Sequence, residues 1–409
     1  MNSMLCIYED AKYSNLYPLS LTRPVFELRC GIFSLGEKLV RHFPGVKVTY
    51  LVRDAIRELV KEQHSDFSGN KIPEENTYFV NARLILHESL PKDLSRSTAF
   101  RVNNEIVGAF VARADLAKIR FSGEGLIDES AFEKFDTVEI SGHTIHYPWD
   151  LVHHNGEEIS SDFKFMGRGG HILGKVYPNV TFLEQANIYL APGAKIYPGV
   201  VIDGESGPVY IAEGATVMAN AVIQGPVYIG KNSRIKIGAK IYEGTSIGEV
   251  CKVGGEVEES IVHGFSNKQH EGFLGHAYLG EWVNLGADTN NSDLKNNYGH
   301  VKVMINGSMV DSGSMFVGLF MGDHSKSGIN TMFNTGTSVG VMCNVFGAGY
   351  PPKFIPSFTW GGIDRQERYD FNKAVETARR VMERRQKTLS TAQEKLLREL
   401  FERSEHQSI

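Results

Sequence analysis

One short stretch, SNKQHEGFLGHAYLG at Ser266–Gly280, concentrates side chains that can exchange protons or bind anions. Lys268, His270, Glu271 and His276 lie there within nine residues. Histidine takes and releases protons near neutral pH, so the stretch predicts general acid–base chemistry. A single histidine in a loop is more often a surface residue than a catalyst, so the prediction depends on the scaffold that positions it.

The scaffold is a six-residue repeat. Three residues after most of its aliphatic positions comes Gly or Asn, where positive φ costs little, followed by a small residue. A period of six is typical of a parallel β-helix with short strands and tight corners, and flexible Gly-rich linkers lack such an aliphatic stripe. Three hexads make a coil of 18 residues, so every third aliphatic residue should stack. The eight regular positions are Ile211, Val217, Ile223, Ile229, Ile235, Ile241, Ile247 and Val253.

The β-helix is expected to extend from about residue 170 to 350. A weaker six-residue grid precedes the regular one, at Ile188, Ala194 and Val200. A gapped grid with twelve-residue spacing follows it, at Ile305, Val317, Ile329 and Val341. Between the two, the polar segments 254–280 and 283–303 are expected to bulge from the scaffold, which makes them natural places for chemistry.

Composition excludes several classes of protein. The chain has 409 residues, enough for two or three domains, and its net charge of −5 gives no sign of a nucleic-acid partner. The four cysteines are far apart and form no CxxC pair, which argues against a disulfide framework or a cysteine-based zinc site and fits a reducing cytoplasm. The N-terminus is not a signal peptide, and no run of 18 apolar residues predicts a membrane span.

The polar segments resemble one enzyme family. NKQHEGFLGHAYLG, VNLGADT, NNYG and HVKV follow one another as in bifunctional N-acetylglucosamine-1-phosphate uridyltransferase / glucosamine-1-phosphate acetyltransferases, whose motif begins K-x-x-H-x-x-Y-L-G. Upstream, RIKIGAKIYEGTSIG is also similar to the family pattern. The resemblance implies a left-handed β-helix, and it places His270 at the position of the catalytic base. His263 and His276 are interpreted as scaffold residues, and the adjacent His153 and His154 as surface.

The same resemblance assigns substrate contacts. It implies cationic contacts to a sugar phosphate, sugar-positioning amides with an adjacent tyrosine, and a carboxylate that accepts from a hydroxyl or amine. A phenylalanine stands where the family has tyrosine, and a lysine replaces an arginine, which gives up bidentate phosphate contact. These departures leave the identity of the sugar open. The residues concerned are Lys236, Lys302, Asn284, Asn297, Tyr298, Glu256 and Phe273.

The first 165 residues read as alternating strands and helices, which predicts a parallel α/β sheet. LYPLSLTRP at Leu16–Pro24 resembles the second half of the sugar nucleotidyltransferase signature, but the Gly-rich first half is missing. We expect Arg23 and Arg29 to supply the lost positive charge toward the nucleotide. Asn81 ends the strand that carries an Mg²⁺-binding aspartate in the family, and Asp150 is a further metal-ligand candidate.

The expected fold class is an α/β nucleotidyltransferase-like (Rossmann-like) N-terminal domain, a left-handed hexapeptide β-helix and a C-terminal helical tail. The expected boundaries are 1–165, 166–362 and 363–409. From about Arg365 to Arg403 the apolar spacing is helical, and a capping signature at Ser390 or Thr391 predicts two helices. The basic run ARRVMERRQK is a solvated face or a contact for the 3′-phosphate of coenzyme A.

The resemblance implies a trimeric cytoplasmic enzyme of sugar-nucleotide biosynthesis. The β-helix would transfer acetyl from acetyl-CoA to an amino-sugar 1-phosphate such as glucosamine-1-phosphate. The N-terminal domain would join the product to UTP or dTTP with Mg²⁺, giving UDP-N-acetylglucosamine or a related nucleotide sugar. Two alternatives remain open: only one activity is retained, or the protein is a non-catalytic trimeric scaffold that binds sugar nucleotides.

Overall fold

The computed structural model describes residues 3–65, 67, 69–92 and 94–404. The N-terminal domain is built on a six-stranded mixed sheet with the strand order β2-β1-β3-β6-β5-β7. Its strands, together with the separate pair β4 and β8, are Ser3–Tyr8 (β1), Lys47–Leu51 (β2), Asn76–Asn81 (β3), Leu84–Leu86 (β4), Thr98–Val102 (β5), Glu105–Val111 (β6), Asp136–Glu139 (β7) and Gly142–Thr144 (β8).

Strands β1, β2 and β3 are parallel, as the alternation of strands and helices predicted. The prediction is wrong for the rest of the sheet, because β6 pairs antiparallel with both β3 and β5. The tight β5–β6 connection at Asn103–Asn104, two residues with positive φ, forms a hairpin that leaves no room for a crossover helix. The helices of this region are Leu35–Arg41 (α1), Arg57–Gln63 (α2), Pro148–His153 (α3) and Asn155–Met166 (α4).

The β-helix has three faces, which we number in chain order. Face 1 contains Lys175–Val176 (β9), Lys195–Ile196 (β12), Thr216–Val217 (β15), Arg234–Ile235 (β18), Lys252–Val253 (β21) and Asn267–Lys268 (β24). Face 2 contains Thr181–Leu183 (β10), Val201–Asp203 (β13), Val222–Gln224 (β16), Lys240–Ile241 (β19), Glu256–Glu258 (β22) and Phe273–Gly275 (β25). Face 3 contains Ile188–Leu190 (β11), Val209–Ile211 (β14), Val227–Ile229 (β17), Thr245–Ile247 (β20), Ile261–Val262 (β23), Tyr278–Leu279 (β26), Leu319–Met321 (β30), Thr337–Val339 (β33) and Phe354–Ile355 (β35).

The remaining strands complete the last coils and their insertion. Asn290–Asn291 (β27) contacts β25 and pairs with Met332–Phe333 (β32). Lys302–Ile305 (β28) and Ser308–Asp311 (β29) form an antiparallel hairpin within a segment that leaves the coil. Face 1 resumes through an isolated bridge at Asn284 into Lys326–Ser327 (β31), Asn344–Val345 (β34) and Thr359–Gly361 (β36), followed by antiparallel Gln366–Arg368 (β37).

The predicted stacking of aliphatic residues is confirmed. Ile211, Ile229 and Ile247 lie in register on face 3 and are fully buried, and the column continues through Val262 and Leu279. Burying each such side chain contributes about 1.5–3 kcal/mol before the conformational entropy of folding is subtracted.

Two expectations about the extent of the repeat are wrong. Segment 254–280 does not bulge: β22 to β26 continue the coils, which only shorten, since Val262 follows its partner Ile247 by 15 residues. The gapped grid also fails, because Ile305 lies in the hairpin and Ile329 is 71 % exposed. The cause is the inserted segment after β27, whose length shifts the register of the following hexads.

One corner of the β-helix departs from the Gly/Asn rule. At the corner between faces 3 and 1, large residues adopt φ between 57° and 62° on successive coils. They form a buried stack in which Phe265 lies 4.3 Å from Trp282, ring centre to ring centre. Positive φ costs about 1–3 kcal/mol for such residues, and packing against the C-terminal helices offsets it. The residues are Val250, Phe265, Trp282, His324, Met342 and Phe358.

The C-terminal tail forms the two predicted helices, Phe371–Glu383 (α5) and Thr391–Ser404 (α6). Ser390 caps α6, since its hydroxyl accepts a hydrogen bond from the Gln393 backbone N–H at 3.1 Å. Helix α5 buries Phe371, Val375 and Ala378 against the corner stack. The tail therefore closes the corner between faces 3 and 1.

Face 3 is covered by the N-terminal domain. Ile261, Tyr278 and Phe320 on this face belong to the same buried core as the first sheet. Hydrogen bonds fix the contact: the Ser246 hydroxyl donates to the Gly31 carbonyl at 2.8 Å, and the Asn155 amide donates to the Gly244 carbonyl at 2.7 Å. The predicted fold class is confirmed, with an α/β N-terminal domain, a left-handed parallel β-helix and C-terminal helices.

Candidate functional site

His270 lies on the corner between faces 1 and 2, immediately after β24, and it is exposed. Beneath it, Lys268 points into the β-helix, where it continues the inward column of Ile235 and Val253. The Lys268 ammonium donates to the carbonyls of Gly254 and His270, both at 3.0 Å. The buried lysine therefore holds the backbone of the residue predicted to be the catalytic base.

The position of Lys268 makes its charge costly. Burial lowers the pKa of the Lys268 ammonium from 10.5 to about 8. A lysine in an aliphatic column of a hexapeptide repeat has no packing advantage over isoleucine, so its two backbone contacts are the physical reason for its presence. The sequence signal was available, because Lys268 stands where the regular repeat places an aliphatic residue.

Lys236, Glu256 and Phe273 lie on the same corner or beside it. Lys236 shares the corner with His270 two coils earlier: its Cβ and the Gln269 carbonyl both lie within 3.0 Å of the position that a Cβ on Gly254 would occupy. Glu256 and Phe273 are register partners at the start of β22 and β25, on the adjoining face 2.

Asn284 lies on face 1, between Asn267 and Lys326 in register. The Asn267 amide donates to the Asn284 carbonyl oxygen at 3.5 Å, and the Arg385 guanidinium from the tail donates to Asn267 at 3.2 Å. The tail thus reaches the same face as the predicted substrate contacts.

The outward side of face 1 is strongly cationic. Burial and four neighbouring positive charges lower the pKa of the Lys252 ammonium. Such a concentration of positive charge favours the binding of a phosphorylated ligand. The four neighbours of Lys252 are Arg385, Arg234, Arg384 and Lys236.

Three sequence-predicted residues lie elsewhere. Asn297, Tyr298 and Lys302 are exposed on the inserted segment 292–318, which leaves and rejoins the coil at the corner between faces 2 and 3. There the Val317 and Gly318 N–H groups donate to the carbonyls of Asp293 and His276. Within one chain, these residues therefore occupy a different corner from His270.

The corner between faces 2 and 3 holds a histidine–aspartate pair that the sequence did not reveal. His276 Nδ1 and Asp293 Oδ2 are 2.8 Å apart, the carboxylate of Glu258 lies in the same group, and Phe316 stacks on the His276 ring at 5.1 Å. Asp293 follows His276 by 17 residues, so only the coil geometry brings them together. His263, by contrast, is buried at the domain interface, as its assignment to the scaffold predicted.

The second candidate region is the crevice at the carboxyl ends of β1 and β3. Asn81 ends β3, and its amide donates to Asp10 at 2.9 Å and to Glu129 at 3.4 Å. The Tyr8 hydroxyl also donates to Glu129, at 2.6 Å. Burial and the neighbouring Asp10 charge raise the pKa of the Glu129 carboxyl to about 7. Ligands of α/β folds bind at this edge, so the crevice is a candidate site.

The crevice as arranged does not fit an Mg²⁺ ion. The Arg83 guanidinium is buried and donates to both oxygens of Asp10, at 3.0 and 3.1 Å, and it also pairs with Glu105. The Asn81 side-chain oxygen accepts the Arg83 backbone N–H at 2.9 Å. The candidate oxygen ligands are thus engaged by a cation of the protein itself, and no step is derived through a metal.

Arg23 and Arg29 face the β-helix. The buried Arg23 guanidinium pairs with Asp323 at 2.5 Å and with Glu281 at 3.4 Å. Arg29 pairs with Glu249 at 3.7 Å, and its guanidinium lies over the Tyr228 ring. Both arginines join the N-terminal domain to face 3 and its corner, which gives them a structural role that the sequence did not predict.

Asp150 is engaged by the start of helix α3. One of its carboxylate oxygens accepts the backbone N–H groups of His146 and Tyr147, at 2.8 and 3.0 Å. A carboxylate in the first turn of a helix satisfies N–H groups that have no helical partner. This geometry explains Asp150 without a metal ion.

Comparison with known proteins addresses the N-terminal domain first. The family model described as sugar nucleotidyl transferase matches residues 5–170. Residues 5–170 belong to the sugar nucleotidyl transferase family. The transferase domain thus ends close to the end of helix α4, at Met166.

The chain is also similar to bifunctional enzymes. It is 34 % identical over 147 residues to the bifunctional sugar-1-phosphate nucleotidylyltransferase/acetyltransferase of Sulfurisphaera tokodaii, a match covering 31 % of this chain and 37 % of that protein. It is 32 % identical over 229 residues to the bifunctional protein GlmU of Methanocaldococcus jannaschii, with 53 % of each covered. The chain spans between about a third and a half of the length of these relatives.

Among solved structures, the UDP-N-acetylglucosamine acyltransferase from Campylobacter jejuni matches over 55 % of this chain and 95 % of that chain, with 13 % identity and a TM-score of 0.27. The resemblance to bifunctional sugar nucleotidyltransferase/acetyltransferases that the motifs indicated is confirmed. Among the residues that the structure describes, no helix has the length and apolar character needed to cross a bilayer.

Proposed function

We propose that the β-helix transfers an acetyl group from acetyl-CoA to the amine of an amino-sugar 1-phosphate, with glucosamine-1-phosphate as the first candidate. The observation that carries this proposal is the corner between faces 1 and 2. There an exposed imidazole, His270, stands on a backbone held by buried Lys268 and next to a cationic face. The similarity to the bifunctional relatives supports the reaction class.

In this reaction His270 acts as the general base. As the substrate nitrogen attacks the thioester carbonyl, the imidazole takes the proton from that nitrogen. The C–N bond forms, the C–S bond breaks, and coenzyme A leaves as a thiol once it receives the proton. Lys236, on the same corner, would bind the sugar phosphate, while Glu256 and Phe273 would line the substrate on face 2.

The cationic side of face 1 would hold the anionic parts of the substrates. Arg234 and Lys252 belong to consecutive strands of this face, and Arg385 reaches it from the tail. Both acetyl-CoA and an amino-sugar 1-phosphate carry phosphate groups, and Asn284 would supply amide contacts beside them. The tail would thus contribute to binding as well as to closing the corner stack.

Asn297, Tyr298 and Lys302 require a second chain if they contact the same substrate. We propose a homotrimer, in which the inserted segment of one chain would approach the His270 corner of its neighbour. Sedimentation equilibrium should give three times the chain mass of 45.5 kDa. A monomer at micromolar concentration would remove these three residues from the acetyl-transfer site.

A second candidate function is nucleotidyl transfer by the N-terminal domain, and the family match over residues 5–170 favours it. A sugar 1-phosphate oxygen would attack the α-phosphorus of UTP or dTTP and release pyrophosphate. The crevice offers Glu129, with a pKa of about 7, and the Arg83 guanidinium beside it. Arg23 and Arg29 remain predicted nucleotide contacts only if the domain interface opens.

The decisive experiment offers glucosamine-1-phosphate with acetyl-CoA, UTP and dTTP, and identifies the products by mass spectrometry. We expect N-acetylglucosamine-1-phosphate with acetyl-CoA alone, and a nucleotide sugar with pyrophosphate when UTP or dTTP is added. Acetylation without pyrophosphate would assign the N-terminal domain to assembly. The absence of both products would favour the binding scaffold.

A further inference from the structure

Three histidines meet where the N-terminal domain joins the helices that pack on the β-helix. The His143 ring lies 4.4 Å from the His87 ring and 4.3 Å from the His154 ring, centre to centre. One ligand atom each of His143, His154 and Glu157 lie within 4.8 Å of one another. These residues are outside both sites described above.

The fold brings them together from three segments. His143 lies on β8, directly opposite Ile85 of β4, so His87 follows at the end of the same hairpin pair. His154 lies between α3 and α4, and Glu157 is three residues further on, on the same side of the helix. Adjacent His153 points away and contacts the Phe316 carbonyl at 3.0 Å, so the interpretation of both histidines as surface is wrong for His154.

We propose that His143, His154 and Glu157, with His87 as the fourth ligand, bind one Zn²⁺ ion. Imidazole nitrogen and carboxylate oxygen are the ligands that zinc takes in proteins, usually four in a tetrahedron. Ligand atoms about 2.1 Å from a common ion lie closer together than those in the present group, so small side-chain rotations complete the site. The wide spacing of the cysteines excluded only zinc held by thiolates.

The arrangement favours this group over the other cluster of possible ligands. At the corner between faces 2 and 3, Glu258, His276 and Asp293 offer a single imidazole, and its Nδ1 is already hydrogen-bonded to Asp293. The His87 group offers three imidazoles, and none of these three is hydrogen-bonded to another residue of the group. The side chains of His154 and Glu157 are 29 % and 79 % exposed, so an ion can enter from solvent.

The ion would join two parts of the chain. The β4–β8 pair belongs to the N-terminal domain, while α4 contacts β17 and β20 of face 3. Asn155, next to His154, already donates to the Gly244 carbonyl of the β-helix. Zinc at this place would therefore stabilise the attachment of the N-terminal domain to the β-helix, and it would have no part in the proposed acetyl transfer.

The test is equilibrium dialysis of the full-length, chelator-treated protein against Zn²⁺, with circular dichroism to verify folding. We expect one bound ion per chain and a rise in the melting temperature with zinc. The variant H143A/H154A should lose both the ion and the rise. The matched controls His171→Ala and His276→Ala, which change histidines outside the group, should keep both.

A second variant keeps the proposal testable if H143A/H154A does not fold. Glu157→Gln changes an exposed side chain and should weaken zinc binding at least about tenfold, as loss of one ligand does in characterised metal sites. The proposal is overturned if the native protein binds no zinc, if H143A/H154A binds it as the native protein does, or if His276→Ala abolishes binding.

Discussion

At the scale of single residues, the most unusual feature is a lysine in the interior of the β-helix. Lys268 occupies an aliphatic position and donates to the carbonyl of His270. Because burial lowers its pKa from 10.5 to about 8, the folded protein holds a proton there less tightly than the unfolded chain does. The cost of the buried charge is fully present below pH 8 and is relieved as the pH rises through that value.

We therefore predict that the free energy of unfolding of the native protein increases relative to Lys268→Met between pH 8 and pH 10. The increase should not exceed about 3 kcal/mol, which corresponds to the full shift. Urea unfolding at several pH values measures it. Lys240→Met, which removes a partly exposed lysine from face 2, should keep the native pH dependence; a parallel course of native and Lys268→Met would contradict the assignment.

The sequence could predict part of the candidate site at this scale. His270 stood out because the motif around it is local, and its exposed corner position follows from the repeat. Arg83, Glu129 and Asp293 could not be found in the same way, because each acts with partners that only the folded chain brings near. Asp10 and Arg83, for example, are 73 residues apart. The role of Asn81 as a donor to Asp10 and Glu129 was hidden for the same reason.

At the scale of elements, the corner between faces 3 and 1 explains why the tail folds onto the β-helix. Large apolar residues adopt positive φ there, against their intrinsic preference, since helix α5 buries them. The hexapeptide period predicted the coils but not this exception. The periodic signal reports only the inward aliphatic positions, whereas the corner is determined by what packs on it.

Trp282→Ala should lower the free energy of unfolding by about 3–5 kcal/mol, because it removes a buried ring that stacks on Phe265 and contacts the tail. Chemical denaturation measures the loss. Ile329→Ala, at a 71 % exposed position of the β-helix, is the matched control and should change stability by less than about 0.5 kcal/mol. Equal effects of the two substitutions would show that the stack does not support the fold.

At the scale of the whole molecule, the N-terminal domain and the β-helix share one core and a buried ion pair. Arg23 and Asp323 are 300 residues apart in sequence and 2.5 Å apart in space. Strand and helix patterns predicted each domain by itself, and the L-T-R-P motif drew attention to Arg23. Nothing in a single sequence indicates that the partner of this arginine lies in the β-helix.

Arg23→Ala should destabilise the protein by about 3–5 kcal/mol, because it leaves the buried Asp323 carboxylate without its partner. The double variant Arg23→Met with Asp323→Leu should be less destabilised than either single variant, and a double-mutant cycle by urea unfolding measures the coupling. Additive effects would mean that the pair does not join the domains. A loss of nucleotidyl transfer in Arg23→Ala at full stability would instead restore the predicted nucleotide contact.

The account rests most directly on His270. The rate of coenzyme A release from acetyl-CoA in the presence of glucosamine-1-phosphate should fall by about 10²–10⁴ in kcat/KM for His270→Ala, since a general base contributes that much. His171→Ala, an exposed histidine at the start of the β-helix, should retain the native rate. A native rate in His270→Ala, with the fold intact by circular dichroism, would contradict acetyl transfer at this corner.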